Sequence, residues 1–255
     1  MLFFLLKIAV PPVLVAAMSL AARRWGPTVG GLLMGLPWMT GPILFFLALD
    51  KGGEFAVAAC AGIQLGVICI YAFILAYSAT SSVAPWPVCL AAATIAFAIV
   101  AWLVQGQPIP LMAAAAAALA ALVATINLLP RPRTAAAPAR LPWWDIPARM
   151  AVTLTLVAAI LLSADRLGPQ LSGVVSTYPV ILIVIGAFTH HQWGVDAVLR
   201  LQRGLTVSLA NFVAFFLVVG LTLPMVGALP AFGLAAVTAL TTSSMLIAFN
   251  RRRAG

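Results

Sequence analysis

The chain has 255 residues, of which 64% are hydrophobic and 7% are charged. Soluble domains usually carry about 25% charged residues, and disordered chains combine low hydrophobicity with high net charge. The composition therefore excludes both classes and predicts an all-α polytopic membrane protein. The formal net charge of +9 does not indicate nucleic-acid binding, because the sequence has no basic stripe with interleaved aromatic residues.

The cysteines and the known catalytic motifs give no indication of an enzyme or a cofactor. Cys60, Cys69 and Cys89 form no CxxC pair and have no nearby histidine, so we expect buried apolar residues rather than metal ligands. The sequence contains no P-loop, HExxH or GxSxG motif. We therefore predict no catalytic residue, no metal and no cofactor.

Nine apolar runs are long enough to be transmembrane helices, for which about 20 residues are needed. They are Leu2–Ala22, Thr28–Leu49, Phe55–Ser78, Ala84–Val104, Ile109–Leu129, Ile146–Ser163, Gln170–Thr189, Ala197–Leu221 and Val226–Phe249. Their apolar residues are continuous, whereas the strands of a membrane barrel alternate. The first run is predicted to be a retained helix, since Arg23 and Arg24 follow it and a secretory signal has its charges in front.

The basic residues divide unequally between the two sides that nine helices define. The larger set of eleven is Arg23, Arg24, Arg131, Arg133, Arg140, Arg149, Arg200, Arg203, Arg251, Arg252 and Arg253, and the smaller set of three is Lys7, Lys51 and Arg166. Cytoplasmic loops carry the excess of Lys and Arg. We therefore predict a protein of the bacterial inner membrane with its N-terminus outside and its C-terminus in the cytoplasm.

An internal repeat is found when the chain is compared with itself at an offset of 142 residues. Between 20–62 and 162–204, 11 of 43 positions are identical, and they include glycines and prolines, whose positions reflect backbone geometry. The repeat makes predicted helices 1–4 equivalent to predicted helices 6–9. Because one linker helix intervenes, the second unit is expected to be inverted. The predicted layout is thus 4+1+4.

Three parts of the chain follow from this layout. Residues 1–106 form the first four-helix repeat, residues 107–145 the linker helix with a basic cytoplasmic loop, and residues 146–255 the second repeat with a basic tail. Inverted repeats with interrupted helices are typical of secondary transporters.

Two prolines at equivalent positions, Pro37 and Pro179, interrupt the second and seventh predicted helices. Each removes a helical hydrogen bond, and the freed carbonyls can face a ligand. The polar side chains near the two prolines are Thr40, Ser176, Thr177 and Tyr178. One interpretation is a substrate path at the two breaks. The other is a plain kink that lets helices pack closely at neighbouring glycines.

The third and eighth predicted helices carry a second matched polar pair, Gln64 and Thr206, with Asn211 further along the latter helix. Buried amides in a membrane need partners. These side chains therefore either join helices by hydrogen bonds or line a polar path.

A basic cluster begins the eighth predicted helix, where Asp196, Arg200 and Arg203 share one face, and His190 and His191 precede it. The arginines are either a solvated cytoplasmic extension or a cationic mouth for an anionic substrate. The two histidines are adjacent, so they do not form a two-His metal face, and they are either interfacial residues or proton carriers. No carboxylate lies in the middle of a run, which disfavours coupling to ions through buried acids.

The second half resembles the GlpM-like family of small four-helix bacterial membrane proteins associated with alginate production. The residues that carry the resemblance are Gly173, Tyr178, Pro179, Leu199, Arg200 and Gly204. The resemblance implies a small membrane module that is duplicated and fused here. It implies no reaction and no catalytic residue.

Taken together, these patterns predict a transporter or permease for a small neutral or anionic solute, embedded in the lipid bilayer. The alternative is a membrane subunit without transport activity that scaffolds an envelope-related complex. A homodimer or other membrane subunits are the protein partners that fit either function, and nucleic acid is not expected.

Overall fold

The computed structural model describes residues 2–107, 109–133, 142–159 and 178–254, with side chains from residue 9 to residue 242 within these ranges. The described chain is helical and contains no β-strand. Its helices are α1 (Leu2–Trp25), α2 (Pro27–Met34), α3 (Thr40–Lys51), α4 (Gly53–Thr80), α5 (Trp86–Val104), α6 (Leu111–Leu128), α7 (residues 145–159), α8 (Val180–Trp193), α9 (Val195–Val226) and α10 (Ala228–Ala254).

Helix length and composition are consistent with a helical membrane protein. Among the described residues, α4, α5, α6 and α9 are long and apolar enough to cross a membrane, and α8 and part of α10 are shorter apolar helices. The predicted division of 84–129 is confirmed, because α5 ends at Val104 and α6 begins at Leu111. The predicted second span is interrupted and forms α2 and α3.

The centre of the fold is an antiparallel pair formed by α4 and α9. Gln64 on α4 hydrogen-bonds to Val213 on α9, whereas Ser78, further along α4, hydrogen-bonds to Gln202, which is earlier on α9. Helices α5 and α6 pack against α4, and α2, α8 and α10 pack against α9. The apolar core therefore surrounds these two helices, and α1 packs outside them against α2 and α8.

Helix boundaries recur at the 142-residue interval that was found in the sequence. Helices α4 and α9 begin 142 residues apart, and so do α5 and α10. Gly52 and Gly194, which precede α4 and α9, have φ angles of 91° and 79°. L-residues rarely adopt this conformation, so glycine at both positions permits the same sharp break between consecutive helices.

Contacts between the two halves also follow this interval. Helix α5 packs against α8, and their equivalents α10 and α3 pack against each other. The central pair, α4 and α9, consists of two equivalent helices. The two halves thus make corresponding contacts across a shared interface.

Helix α2 approaches α9 closely because small residues line the contact. A Cβ atom added at Gly31 would lie 1.9 Å from the carbonyl oxygen of Leu201, and one added at Gly204 would lie 2.3 Å from that of Thr28. Either distance is far below a van der Waals contact, so only glycine permits this backbone approach. Gly62, the equivalent of Gly204, has no heavy atom within 4 Å of the same added atom among the described residues.

We expect Gly204→Ala and Gly62→Ala to change stability in opposite directions. At Gly204 the methyl group must displace backbone atoms of α2, and overpacking of this kind costs about 1–3 kcal/mol. At Gly62 the methyl group meets open space, and alanine is favoured over glycine in a helix by about 1 kcal/mol. Thermal unfolding of the two purified variants in detergent measures the difference. Equal destabilisation by both substitutions would contradict the described α2–α9 contact.

Candidate functional site

The backbone forms the same kind of turn at Pro37 and at Pro179. The amide of Trp38 donates to the carbonyl of Leu36 at 2.8 Å, and the amide of Val180 donates to the carbonyl of Tyr178 at 2.9 Å. Each bond closes a turn centred on the proline, and each turn is followed directly by a helix, α3 or α8. The prediction that Pro37 interrupts a helix is confirmed, because α2 ends at Met34 and α3 begins at Thr40. The segment that precedes Tyr178 lies outside the described residues, so the interruption at Pro179 stays a prediction.

The carbonyls that Pro37 frees already have partners. Proline has no N–H, so the carbonyl of Leu33 lacks its helical donor, and it accepts the indole N–H of Trp38 at 2.8 Å instead. The carbonyl of Leu32 accepts the hydroxyl of Ser208 on α9. The break thus fastens α2 to α9 in this structure, in keeping with the packing interpretation.

A row of buried polar side chains, spaced about two turns apart on α4, lies between α4 and α9. We define the polar seam as Gln64, Tyr71 and Ser78 on α4 with Gln202 and Thr206 on α9. The three residues of α4 are seven apart, so Tyr71 shares the face on which Gln64 and Ser78 meet α9. All five side chains are at most 1% exposed.

Hydrogen bonds satisfy only part of the polar seam. The Nε2 of Gln64 donates to the carbonyl of Val213 at 2.9 Å, and the hydroxyl of Thr206 donates to the carbonyl of Gln202 at 2.7 Å. Among the described residues, Gln64 Oε1, the Tyr71 hydroxyl and Gln202 Nε2 have no partner. Leaving such a group unpaired in a buried position costs about 1–3 kcal/mol, so three of them along one interface call for a functional explanation.

The remaining predicted path residues lie around this centre. The hydroxyl groups of Tyr178 and Thr94 on α5 are hydrogen-bonded at 2.5 Å. This bond connects the turn at Pro179 to the first half of the chain. Thr40 is the half-buried first residue of α3, and Asn211 is buried on α9. Ser176 and Thr177 lie outside the described residues.

The predicted mouth residues are held by local bonds. His190 Nδ1 lies 3.1 Å from the hydroxyl of Tyr77 on α4, whereas His191 is exposed. Arg203 donates to the carbonyls of Leu129 and Pro130 at 2.9 and 3.3 Å. Each of these three contacts joins α8 or α9 to a segment from another part of the chain.

The side chains of Asp196 and Arg200, in the same cluster, each form a hydrogen bond with a backbone group. Arg200 donates to the carbonyl of Asp196 at 3.3 Å, and the carboxylate of Asp196 accepts the backbone N–H of Arg133 at 2.9 Å. The cluster therefore fastens the loop after α6 to the start of α9. In these bonds Arg200 and Arg203, the candidates for an anion-binding mouth, each use Nη1, one of several guanidinium donors.

A buried ionic network lies at the same end of the fold. Asp145, the first residue of α7, is paired with Arg23 of α1, with Arg149 one turn along α7, and with Gln192 of α8. Arg149 also donates to Gln192 Oε1 at 2.8 Å and to the Ser19 hydroxyl at 3.4 Å. Asp145 is 0% exposed and Arg149 3% exposed, so the network is shielded from water.

The carboxyl group of Asp145 is kept ionised by its partners. Burial alone would raise its pKa, but hydrogen bonds from Gln192 and Arg23 and the positive charge of Arg149 together hold the pKa below its usual value. Two guanidinium groups share this one carboxylate. Removal of the carboxylate would leave buried cations uncompensated.

The seam and the ionic network each contain residues that the sequence analysis did not select. Tyr71, Ser78 and Gln202 belong to the seam, and the signal for them was the seven-residue spacing from Gln64 to Ser78. For the network, the signal was Asp145 four residues before Arg149 at the start of an apolar run. Both were overlooked because a partner helix decides whether such residues face protein or lipid.

Comparisons with known proteins add no assignment: no protein-family model, curated protein or solved structure matches the chain. Within the described residues, no group of three or more His, Cys, Asp or Glu side chains is placed to hold a metal ion. The three cysteines are buried and free, in agreement with the prediction of buried apolar residues. The polar seam is therefore the feature of the molecule from which a function can be inferred.

We expect Asp145→Asn to lower the free energy of unfolding by about 3 kcal/mol at neutral pH, because it leaves Arg149 buried without a counter-charge. The carboxyl pKa is lowered by folding, so its contribution is present above about pH 4 and is lost as the pH falls through the lowered value. Thermal unfolding in detergent should therefore show a difference between wild type and variant at pH 7 that shrinks on acidification.

The matched control for this prediction is Asp50→Asn. Asp50 Oδ2 lies 4.0 Å from Lys51 Nζ, and the two side chains are 74% and 59% exposed. Exposed ion pairs of this kind contribute little to the free energy of unfolding. A loss of stability in the control equal to that of Asp145→Asn, or a difference independent of pH, would contradict the role given to the network.

Proposed function

We propose that this chain is a bacterial inner-membrane transporter for a small neutral or anionic solute, with its path along the polar seam. The observation that carries the proposal is the buried and incompletely bonded polar row between α4 and α9. Polar side chains inside a membrane protein are costly and commonly mark substrate paths. The seam is formed by equivalent helices of the two halves, which is where transporters built from repeats place their sites.

The 4+1+4 inverted layout belongs to the same proposal. The antiparallel arrangement of α4 and α9, which begin 142 residues apart, supports an inverted relation between the halves. Helix α6 is then the linker between them. The resemblance of the second half to the GlpM-like family fits a module that was duplicated and fused.

We further propose that the N-terminus is outside and the C-terminus is in the cytoplasm. The antiparallel α4–α9 pair gives the fold two ends. The end where α1 finishes and α9 begins carries Arg23, Arg24, Arg131, Arg133, Arg200 and Arg203. The end where α3 finishes and α4 begins carries Lys51, and cytoplasmic ends are the more basic ones.

Transport is tested with the purified chain in liposomes. Stopped-flow light scattering follows vesicle swelling in an inward gradient of glycerol, urea or a salt of a small organic anion. We expect at least one solute to enter faster than it enters protein-free liposomes or liposomes that contain an unrelated membrane protein. Background rates for every solute in the panel would contradict the proposed function.

Orientation is tested with reporter fusions in bacterial cells. A green fluorescent protein at the C-terminus should fluoresce, since it folds in the cytoplasm. An alkaline phosphatase inserted after Gln107, between α5 and α6, should be active, since that enzyme needs an oxidising compartment. Activity of the phosphatase at the C-terminus and none after Gln107 would reverse the proposed orientation.

A further inference from the structure

The unpartnered atoms of the polar seam define what it offers to a ligand. Gln64 Oε1 is an acceptor, Gln202 Nε2 is a donor, and the Tyr71 hydroxyl is both. A ligand that satisfies all three must itself carry donors and acceptors. An apolar molecule would leave them unpaired.

The spacing of these groups fits a series of stations rather than one pocket. Seven residues of helix rise about 10.5 Å, so Gln64 to Ser78 covers about 21 Å along α4. The hydrocarbon core of a bilayer is about 30 Å thick, so the seam extends over most of it. The polar groups of α4 are therefore distributed along most of the apolar interior rather than gathered at one depth.

Charge is absent from the described part of the seam. On α4 and α9 the charged residues are Glu54, in the first turn of α4, and Asp196, Arg200 and Arg203, in the first three turns of α9. The two arginines donate to backbone carbonyls outside the seam. An ion bound in the seam would be buried without a counter-charge, which costs far more than burial of a neutral polar group.

We propose that the polar seam takes a small uncharged solute that carries both hydrogen-bond donors and acceptors, such as a polyol or an amide, and excludes anions. This inference rests on the proposed transport function and narrows its substrate class. Gln64 and Tyr71 bind the solute in the apolar interior, and Gln202 binds it near the basic end. Arg200 and Arg203, which are half-buried and donate to backbone carbonyls, act as structural cations.

The experiment compares uncharged and anionic solutes in the same proteoliposomes. Glycerol and urea are the uncharged probes, and potassium formate with valinomycin, which carries the potassium ion, is the anionic probe. We expect protein-dependent entry of glycerol or urea and background entry of formate. Entry of formate above background with glycerol and urea at background would overturn the inference while leaving transport itself intact.

Two variants connect the flux to the seam. Gln64→Leu and Tyr71→Phe each remove one hydrogen-bonding group, and each should reduce entry of the uncharged solute about fivefold, the effect of a lost hydrogen bond. Tyr71→Phe keeps the packing of the ring, so it tests the hydroxyl alone. Asn127→Leu, which removes an exposed amide on α6, should leave the rate unchanged.

Unfolding is monitored for each variant, so that only folded protein is compared. Unchanged glycerol and urea entry in both folded seam variants would overturn the inference, because the solute would then cross elsewhere. Background entry of all three probes in the wild type removes the proposed function, and the inference with it.

Discussion

The antiparallel contact of α4 with α9 is the constraint on which the remainder of the structure depends. Six other helices pack directly on this pair. In surroundings without water, each polar group on these two helices must find its partner within the protein. The hydrogen bonds from Gln64 to Val213 and from Ser78 to Gln202 meet this requirement in part. The unpartnered groups beside them distinguish this interface from an ordinary helix contact.

The two ends of the interface share a geometry and differ in chemistry. Cys60 faces Gly220 at one end, where an added Cβ would lie 3.3 Å from the cysteine Cβ, and Ser78 is bonded to Gln202 at the other. At the 142-residue offset of the repeat, Cys60 is equivalent to Gln202 and Ser78 is equivalent to Gly220. The repeat therefore relates the contact at one end of the interface to the contact at the other end. One end is therefore closed by small side chains and the other by a hydrogen bond. The backbones of the two halves correspond while their side chains have diverged.

Much of the fold could be predicted because its signals are local. Apolar run length gave the positions of α4, α5, α6 and α9 to within a few residues, and Pro37 predicted the break between α2 and α3. The repeat was visible because glycines such as Gly52 and Gly194 are required by backbone conformation, whatever the surrounding composition.

The candidate site was less accessible to sequence reasoning. Gln64 and Thr206 could be selected because each is a polar residue in an apolar run and they occupy matched positions. Tyr71 was not selected, because a tyrosine in a helix of this composition can equally face the membrane interface. The sequence left two interpretations open for the carbonyls freed by Pro37, a ligand site or a packing kink. Their partners, the Trp38 indole and the Ser208 hydroxyl, could not be predicted from the sequence pattern.

The ionic network shows why a buried charge does not by itself indicate a ligand site. Asp145 joins α1, α7 and α8, three helices from both halves of the chain. Arg23 and Arg149 both donate to its Oδ2 and Gln192 donates to its Oδ1, so each carboxylate oxygen has a donor. A ligand anion would have to compete with the Asp145 carboxylate for its arginine donors. The polar seam, in contrast, contains buried groups that have no hydrogen-bond partner among the described residues. The two polar regions thus differ. The carboxylate at the centre of the ionic network has donors on both oxygens and joins helices at the basic end, whereas the polar seam between α4 and α9 keeps three side-chain groups without a partner among the described residues.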